Sequence, residues 1–324
     1  MKRLASNCAL ALASLAVALF LAESAVRWIY RDITTTTPIE SWFGERWKDA
    51  HLTRYRGFRD RPFSRGKPPG ERRIVIVGDS FTVAMGIPSE ARYGERIEAA
   101  LTAGGGPTRV VQLARPGQEL DGHLATLRGE ALSVGPDFVL LQFYVNDFEI
   151  SKLARPHPRP PIAVGWLHAL LYRRSAIYSV LTLQWNSAQL RWGLVEDYAS
   201  YMGRRYGDPL GESRLAVAAL RGFFDTCREQ RIPVGMVLFP VLTPGASAFD
   251  FLYDRVLEEC ETARVPCVDL RPVFGSDPEA LPRLRLNRFD HHASALAHEL
   301  AAQALLDEFG PSWFALPFRG WPLQ

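Results

Sequence analysis

IVIVGDSFTVAM, residues 74–85, is a run of four β-branched residues that stops at Gly78-Asp79-Ser80 and passes into a helix-compatible stretch. Such a run reads as a buried parallel strand, and open α/β sheets bind their ligands at the carboxyl ends of their strands. Ser80 stands at that end. The same local pattern also describes an ordinary strand–turn–helix, with Gly78 making the turn and Asp79 or Ser80 capping the helix. Other segments of the chain must decide between the two.

A serine hydroxyl is a poor nucleophile until a base takes its proton and a further group holds that base. FDHHASALAHELAAQALLDEF, residues 289–309, sets Asp290 and His292 two apart in an expected loop that runs into an amphipathic helix. There a carboxylate can accept the Nδ1 proton of the imidazole and leave Nε2 facing Ser80. The tetrahedral intermediate of acyl transfer also needs donors aimed at its oxyanion. RVVQLARPGQ, 109–118, reads as a strand ending in a Pro-Gly turn, where Gly117 can bring up an unobstructed N–H. DFVLLQFYVND, 137–147, reads as an apolar strand ending in Asn146-Asp147, and Asn146 carries a neutral amide donor. Each segment alone also fits a turn glycine, a helix cap or a pair of solvated histidines.

Taken together and in this order, the four segments resemble the four blocks of the SGNH (GDSL-like) hydrolase family, over residues 55 to 310. The resemblance implies a flavodoxin-like α/β/α fold and an ester-cleaving serine hydrolase without metal or organic cofactor. It implies Ser80 as nucleophile, Ser80 N–H, Gly117 N–H and Asn146 as oxyanion hole, His292 as general base and Asp290 as its orienting acid; Asp79 is structural. The chain departs from the pattern in three places. Tyr144 replaces the usual glycine of the asparagine block, Asp290-x-His292 is one residue shorter than the frequent Asp-x-x-His, and Ala297 replaces a helix glycine. The same site could instead pass its acyl group to an envelope polysaccharide, or the domain could be a non-catalytic glycan-binding scaffold.

Composition agrees with a globular α/β protein: 324 residues, 47% hydrophobic, 23% charged and a net charge of +3. That charge is too small to point to nucleic acid, and no Gly-rich phosphate loop, metal spacing or repeat is present. Met1-Lys2-Arg3 precedes LASNCALALASLAVALFLAES, uncharged until Glu23. This approaches the span of a hydrocarbon core, and the N-terminal charges leave the rest of the protein outside the cytoplasm. With no clean small-x-small site and a belt of Trp28, Tyr30 and Arg31, residues 1–31 read as a retained anchor rather than a cleaved signal peptide. Cys8 is not a lipoprotein cysteine. Cys260 and Cys267 are near enough for a disulfide; with Cys227 they read equally as core thiols, and none is assigned a function.

Residues 32–73 read as a polar, arginine-rich linker, although Tyr55 and Phe58 in RYRGFRD are large enough to pack on a domain. Strands are expected at 74–77, 109–113, 138–143, 234–240 and 265–270, with helices at 89–101, 119–133, 212–230 and 249–263 between them. That alternation gives a three-layer α/β/α domain over 74–310 with about five parallel strands. A proline-rich then helical insertion, 151–212, interrupts it, and 311–324 form a tail. Trp166, Tyr172, Tyr178 and Trp185 are expected to pack the insertion on the domain, an acyl- or lipid-facing surface being the alternative. His123 is expected exposed on a helix, His157 and His168 solvated or interfacial, and His298 packed or capping. The expected partners are an acyl-ester substrate, glycan or lipid in nature, and a membrane; oligomeric state, acyl chain and alcohol are not encoded in any motif.

Overall fold

The computed structural model describes residues 2–51, 57–64, 66–150, 156–275, 277 and 279–315; Tyr55, residues 151–155 and the tail from 316 lie outside the described residues. Two compact units divide the chain, Met1–Ala50 with His157–Val195, and His51–Pro156 with Glu196–Gln324.

The larger unit is built on five strands: β1 (Arg72–Gly78), β2 (Thr108–Ala114), β3 (Phe138–Phe143), β4 (Val234–Leu238) and β5 (Cys267–Asp269). All pair in parallel, in the order β2-β1-β3-β4-β5. That is the flavodoxin-like doubly wound order. Every residue of β1 and β3 is buried, because a parallel sheet covered on both faces needs apolar side chains at odd and even positions alike. Alternation sorts them into two cores. Val75, Val77, Val139 and Leu141 face one way, Ile74, Ile76, Phe138 and Leu140 the other.

Helices α3 (Ser80–Val83), α4 (Tyr93–Ala103), α5 (Leu120–Thr126), α8 (Tyr198–Tyr206), α9 (Ser213–Glu229), α10 (Asp250–Ala263) and α13 (Ala295–Phe314) cover the sheet, with short turns α11 (Arg271–Phe274) and α12 (Leu281–Leu284). The first core takes the stripe Ala216, Leu220, Phe223 and Cys227 of α9. The second takes Tyr93, Ile97 and Leu101 of α4 with Ala297, Ala301, Leu305 and Phe309 of α13. These are helical spacings of three and four. The three-layer reading of the sequence holds.

Several expectations need correction. The helix expected over 119–133 is α5 followed by a wide π-helical turn at Leu127–Ala131. Part of the expected linker is integral to the sheet unit: Phe58 joins the core, and buried Asp60 accepts from Gln112 N at 2.9 Å and from Arg109 at 2.6 Å. Buried Arg59 donates to Val83 O at 2.8 Å and Ile87 O at 2.7 Å, holding the chain that follows α3. A run of arginines reads as solvated in sequence, yet each guanidinium can satisfy several carbonyls at once. The last block is not a loop. It is an antiparallel hairpin of β6 (Arg285–Asn287) and β7 (Asp290–Ala293), and α13 continues from it to Phe314, past the expected domain end.

The smaller unit holds α1 (Lys2–Ile29), α2 (Trp42–His51), α6 (Gly165–Arg174) and α7 (Ala176–Arg191). Helix α2 also falls within the expected linker. Ser6–Ile29 of α1 is long and apolar enough to cross a membrane, with mean hydropathy 2.1. Tyr172 is buried, whereas Trp166 and Trp185 are exposed, contrary to their expected packing role. His168 is half-buried and meets the Tyr178 hydroxyl at 2.9 Å.

Candidate active site

Strand β1 ends at Gly78, and Ser80 is the first residue of α3, where a helix leaves its N–H without an intrahelical partner. Asp79 caps that helix: its Oδ1 accepts from Phe81 N at 2.9 Å. Gln142, next to last in β3, supports the turn from below, with Oε1 accepting from Asp79 N and Thr82 Oγ1, both at 2.9 Å. Only glycine fits at 78, since a Cβ there would lie 2.3 Å from Thr82 Oγ1 and 2.6 Å from Gln142 Oε1. Asp79 is therefore a structural residue of the turn, as expected. Gln142 was not singled out in the sequence, although a lone amide inside DFVLLQFY was the available signal.

Strand β7 brings the last block to Ser80. Its period of two points Asp290 and His292 to one side and leaves His291 exposed on the other. His292 Nδ1 lies 2.5 Å from Asp290 Oδ1, and Nε2 lies 2.9 Å from Ser80 Oγ. The Asp290 carboxylate also accepts from His292 N at 3.1 Å, which fixes the pair as a unit. The Phe81 ring, 5.1 Å from the imidazole, walls it on one side. Burial alone would lower the pKa of His292; the charge and hydrogen bond of Asp290, aided by the charge of Asp79, outweigh it and hold the pKa above the ordinary 6.5.

Gly117 and Asn146 both lie at the carboxyl edge of the sheet, after β2 and β3, on either side of β1. Gly117 has φ +66°, the left-handed region that favours glycine, in a turn closed by Gln118 N to Arg115 O at 3.2 Å. Asn146 is half-buried in a single helical turn, Val145–Phe148. Tyr144, in place of the usual glycine, packs its ring 4.2 Å from that of Phe81. Its N–H donates to Asp147 Oδ2 at 3.1 Å, which holds the turn bearing Asn146.

His123 is not exposed. It is fully buried, with Nε2 3.2 Å from Asp147 Oδ2. Burial outweighs the nearby carboxylates and pushes its pKa down to about 4, so it is neutral beside the asparagine turn. His123 shares the buried face of α5 with Leu120 and Thr126, three residues to either side. His298 is buried as a packing residue, its Nδ1 accepting from Tyr93 N at 3.3 Å. Cys227, Cys260 and Cys267 are thiols, and burial pushes Cys227 up to about 12.

The strand order is the flavodoxin-like one that the sequence resemblance implies, and Gly78-Asp79-Ser80, Gly117, Asn146-Asp147 and Asp290-x-His292 follow one another along the chain. No family model and no curated protein matches the chain. Solved structures do match. TesA is 13% identical with a TM-score of 0.47, over 74% of this chain and 99% of TesA. A lipase/acylhydrolase from Enterococcus faecalis is 16% identical at 0.47, covering 74% and 96%. An acetyl xylan esterase, AlAXEase, is 13% identical at 0.45, covering 72% and 98%.

Proposed function

We propose that the protein is an SGNH-type serine hydrolase that cleaves a carboxylic ester. The observation that carries this reading is the line from Asp290 through His292 to Ser80, with contacts of 2.5 and 2.9 Å. His292 takes the Ser80 proton as Oγ attacks the acyl carbonyl. The tetrahedral oxyanion is held by Ser80 N–H, Gly117 N–H and the Asn146 amide. His292 then protonates the departing alkoxide, and the alcohol leaves an acyl-Ser80 ester. Water, deprotonated by the same imidazole, discharges it as the free acid. Asp290 stays ionised and orients the ring throughout.

A fluorophosphonate probe tests the reading: it should label the wild-type protein and fail on Ser80→Ala. Loss of labelling with release of free acid from an ester in water supports hydrolysis, and labelling that persists in the variant removes the assigned nucleophile.

Asn146→Ala should lower kcat by ~100- to 1000-fold with little change in KM, the signature of a donor engaged only in the transition state. A rise in KM alone would make Asn146 a binding or capping residue.

The base must be neutral to accept a proton, so activity falls as pH drops through the His292 pKa. With that pKa held above the ordinary 6.5, the acid limb of kcat/KM should lie above pH 6.5. Asp290→Asn removes the charge that raises it and should move the limb to lower pH; an unmoved limb would mean that another group titrates.

The N-terminal reading extends this one. Helix α1 is a retained anchor, with the sheet unit outside the cytoplasm. Carbonate or high-salt washing should leave the protein in the membrane fraction. A soluble chain beginning near residue 23–26 would show cleavage instead.

A further inference from the structure

Helix α7 buries polar side chains and exposes large apolar ones. Its buried positions include Ser179, Thr182 and Gln189, whereas Leu181 and Trp185, one turn apart, are exposed. Helix α6 likewise exposes large apolar side chains, with Trp166 71% and Leu170 50% exposed, again one turn apart. Two of the inward groups are hydrogen-bonded: Ser179 Oγ donates to Tyr172 O at 2.6 Å, and Gln189 both accepts from Arg159 N and donates to Arg159 O at 2.9 Å. A surface helix in water carries the reverse pattern, and a large exposed apolar face marks something that covers it.

Helix α1 indicates what that is. Glu23, in its last two turns, accepts from Ala176 N at 2.7 Å, Ile177 N at 3.1 Å and Ser175 Oγ at 2.9 Å. Ala176 N and Ile177 N are orphan donors at the start of α7, so the carboxylate of α1 completes the cap that Ser175 begins by accepting from Tyr178 N. Arg27 pairs with the same carboxylate at 2.8 Å and donates to Arg174 O at 3.3 Å, tying the end of α6 to the same point. From Ser6 to Glu23 a helix rises about 26 Å, close to the ~30 Å of a hydrocarbon core. Glu23 thus reaches the membrane interface, and the α6–α7 hairpin is fastened at that depth. Arg27, Arg31, Arg173 and Arg174 sit at the same junction, complementary to anionic headgroups. Exposed tryptophans are at home at that boundary.

We propose that the α6–α7 hairpin lies in the leaflet where α1 ends, with Trp166, Leu170, Leu181 and Trp185 inserted between the headgroups and acyl chains of anionic phospholipid. The proposal rests on α1 being a retained span, and its test separates the two. Full-length protein with Cys8→Ser is reconstituted in phosphatidylethanolamine–phosphatidylglycerol liposomes. Single cysteines at 166, 170, 181 and 185, and at Leu15 of α1 as the lipid reference, carry an environment-sensitive nitrobenzoxadiazole probe; protein without an added cysteine supplies the background. The four hairpin probes should emit to the blue of the same probe on free cysteine in buffer. Lipids bearing a nitroxide near the headgroup should quench them about twofold. Water-like, unquenched emission at all four sites with a quenched Leu15 probe overturns the proposal and leaves the anchor standing. Blue-shifted emission that lipid nitroxides do not quench, and that reverts on diluting protein in lipid, assigns the face to a second copy and also overturns it. Protein found in the supernatant without its first residues overturns both readings.

Discussion

Ser80→Ala should cut turnover of an activated short-chain ester, such as nitrophenyl acetate, by on the order of 10⁴-fold or more, while the protein keeps its fold. The chemical side of the expectation follows from geometry: Oγ is the atom 2.9 Å from His292 Nε2, and alanine offers nothing to acylate. The structural side follows from how little else the hydroxyl does. Its other contact is a long one, 3.4 Å to Asp79 Oδ2, and the cap on Phe81 N comes from Asp79. A lost hydrogen bond of this kind changes stability by about 1 kcal/mol, and alanine is the better helix former in α3. Turnover measured beside a thermal melt checks both halves. Activity within tenfold of wild type in a variant that melts normally would remove Ser80 from the mechanism.

The parts of this site differ in how far sequence alone exposes them. Strands β1 and β3 stand out because burial on both faces leaves unbroken apolar runs, and such runs end where a parallel sheet presents its functional groups. The order of the four blocks then separates Ser80 from an ordinary cap, which no single block can do. Contacts between distant segments have no comparable signature. Arg59 clamping the chain beyond α3, Gln142 under the Asp79 turn and His123 against Asp147 each depend on a partner 24 or more residues away. Read locally, the first is a solvated arginine, the second a polar interruption of a strand and the third an exposed histidine. Burial reverses each reading, because the fold encloses all three groups instead of leaving them in water.

The hairpin at 285–293 belongs to the same class. Two strands of three and four residues are too short for periodicity to distinguish them from a loop, and pairing between β6 and β7 decides the matter. In the smaller unit, Trp166 and Trp185 look like core residues in the sequence. For Trp185, exposure emerges only once the buried face of α7 is known to hold Ser179 and Gln189.

Replacing His292 and His291 in turn should give opposite results. His292→Ala should cost at least ~1000-fold in turnover, as other triad bases do, and His291→Ala less than tenfold. In β7 successive side chains alternate, so the side that carries buried Asp290 carries His292 two residues on, and His291 projects to solvent. The spacing Asp-x-His, one residue shorter than the more frequent form, is the one that an extended strand requires, since a carboxylate and an imidazole share a face only at even separation. Losing His292 also leaves the Asp290 carboxylate buried beside an empty space, which costs about 1–3 kcal/mol of stability. Activity should therefore be compared well below the melting transition. Turnover that survives in His292→Ala but falls a thousandfold in His291→Ala would transfer the base to His291, a result that β7 could produce only by pairing in a shifted register.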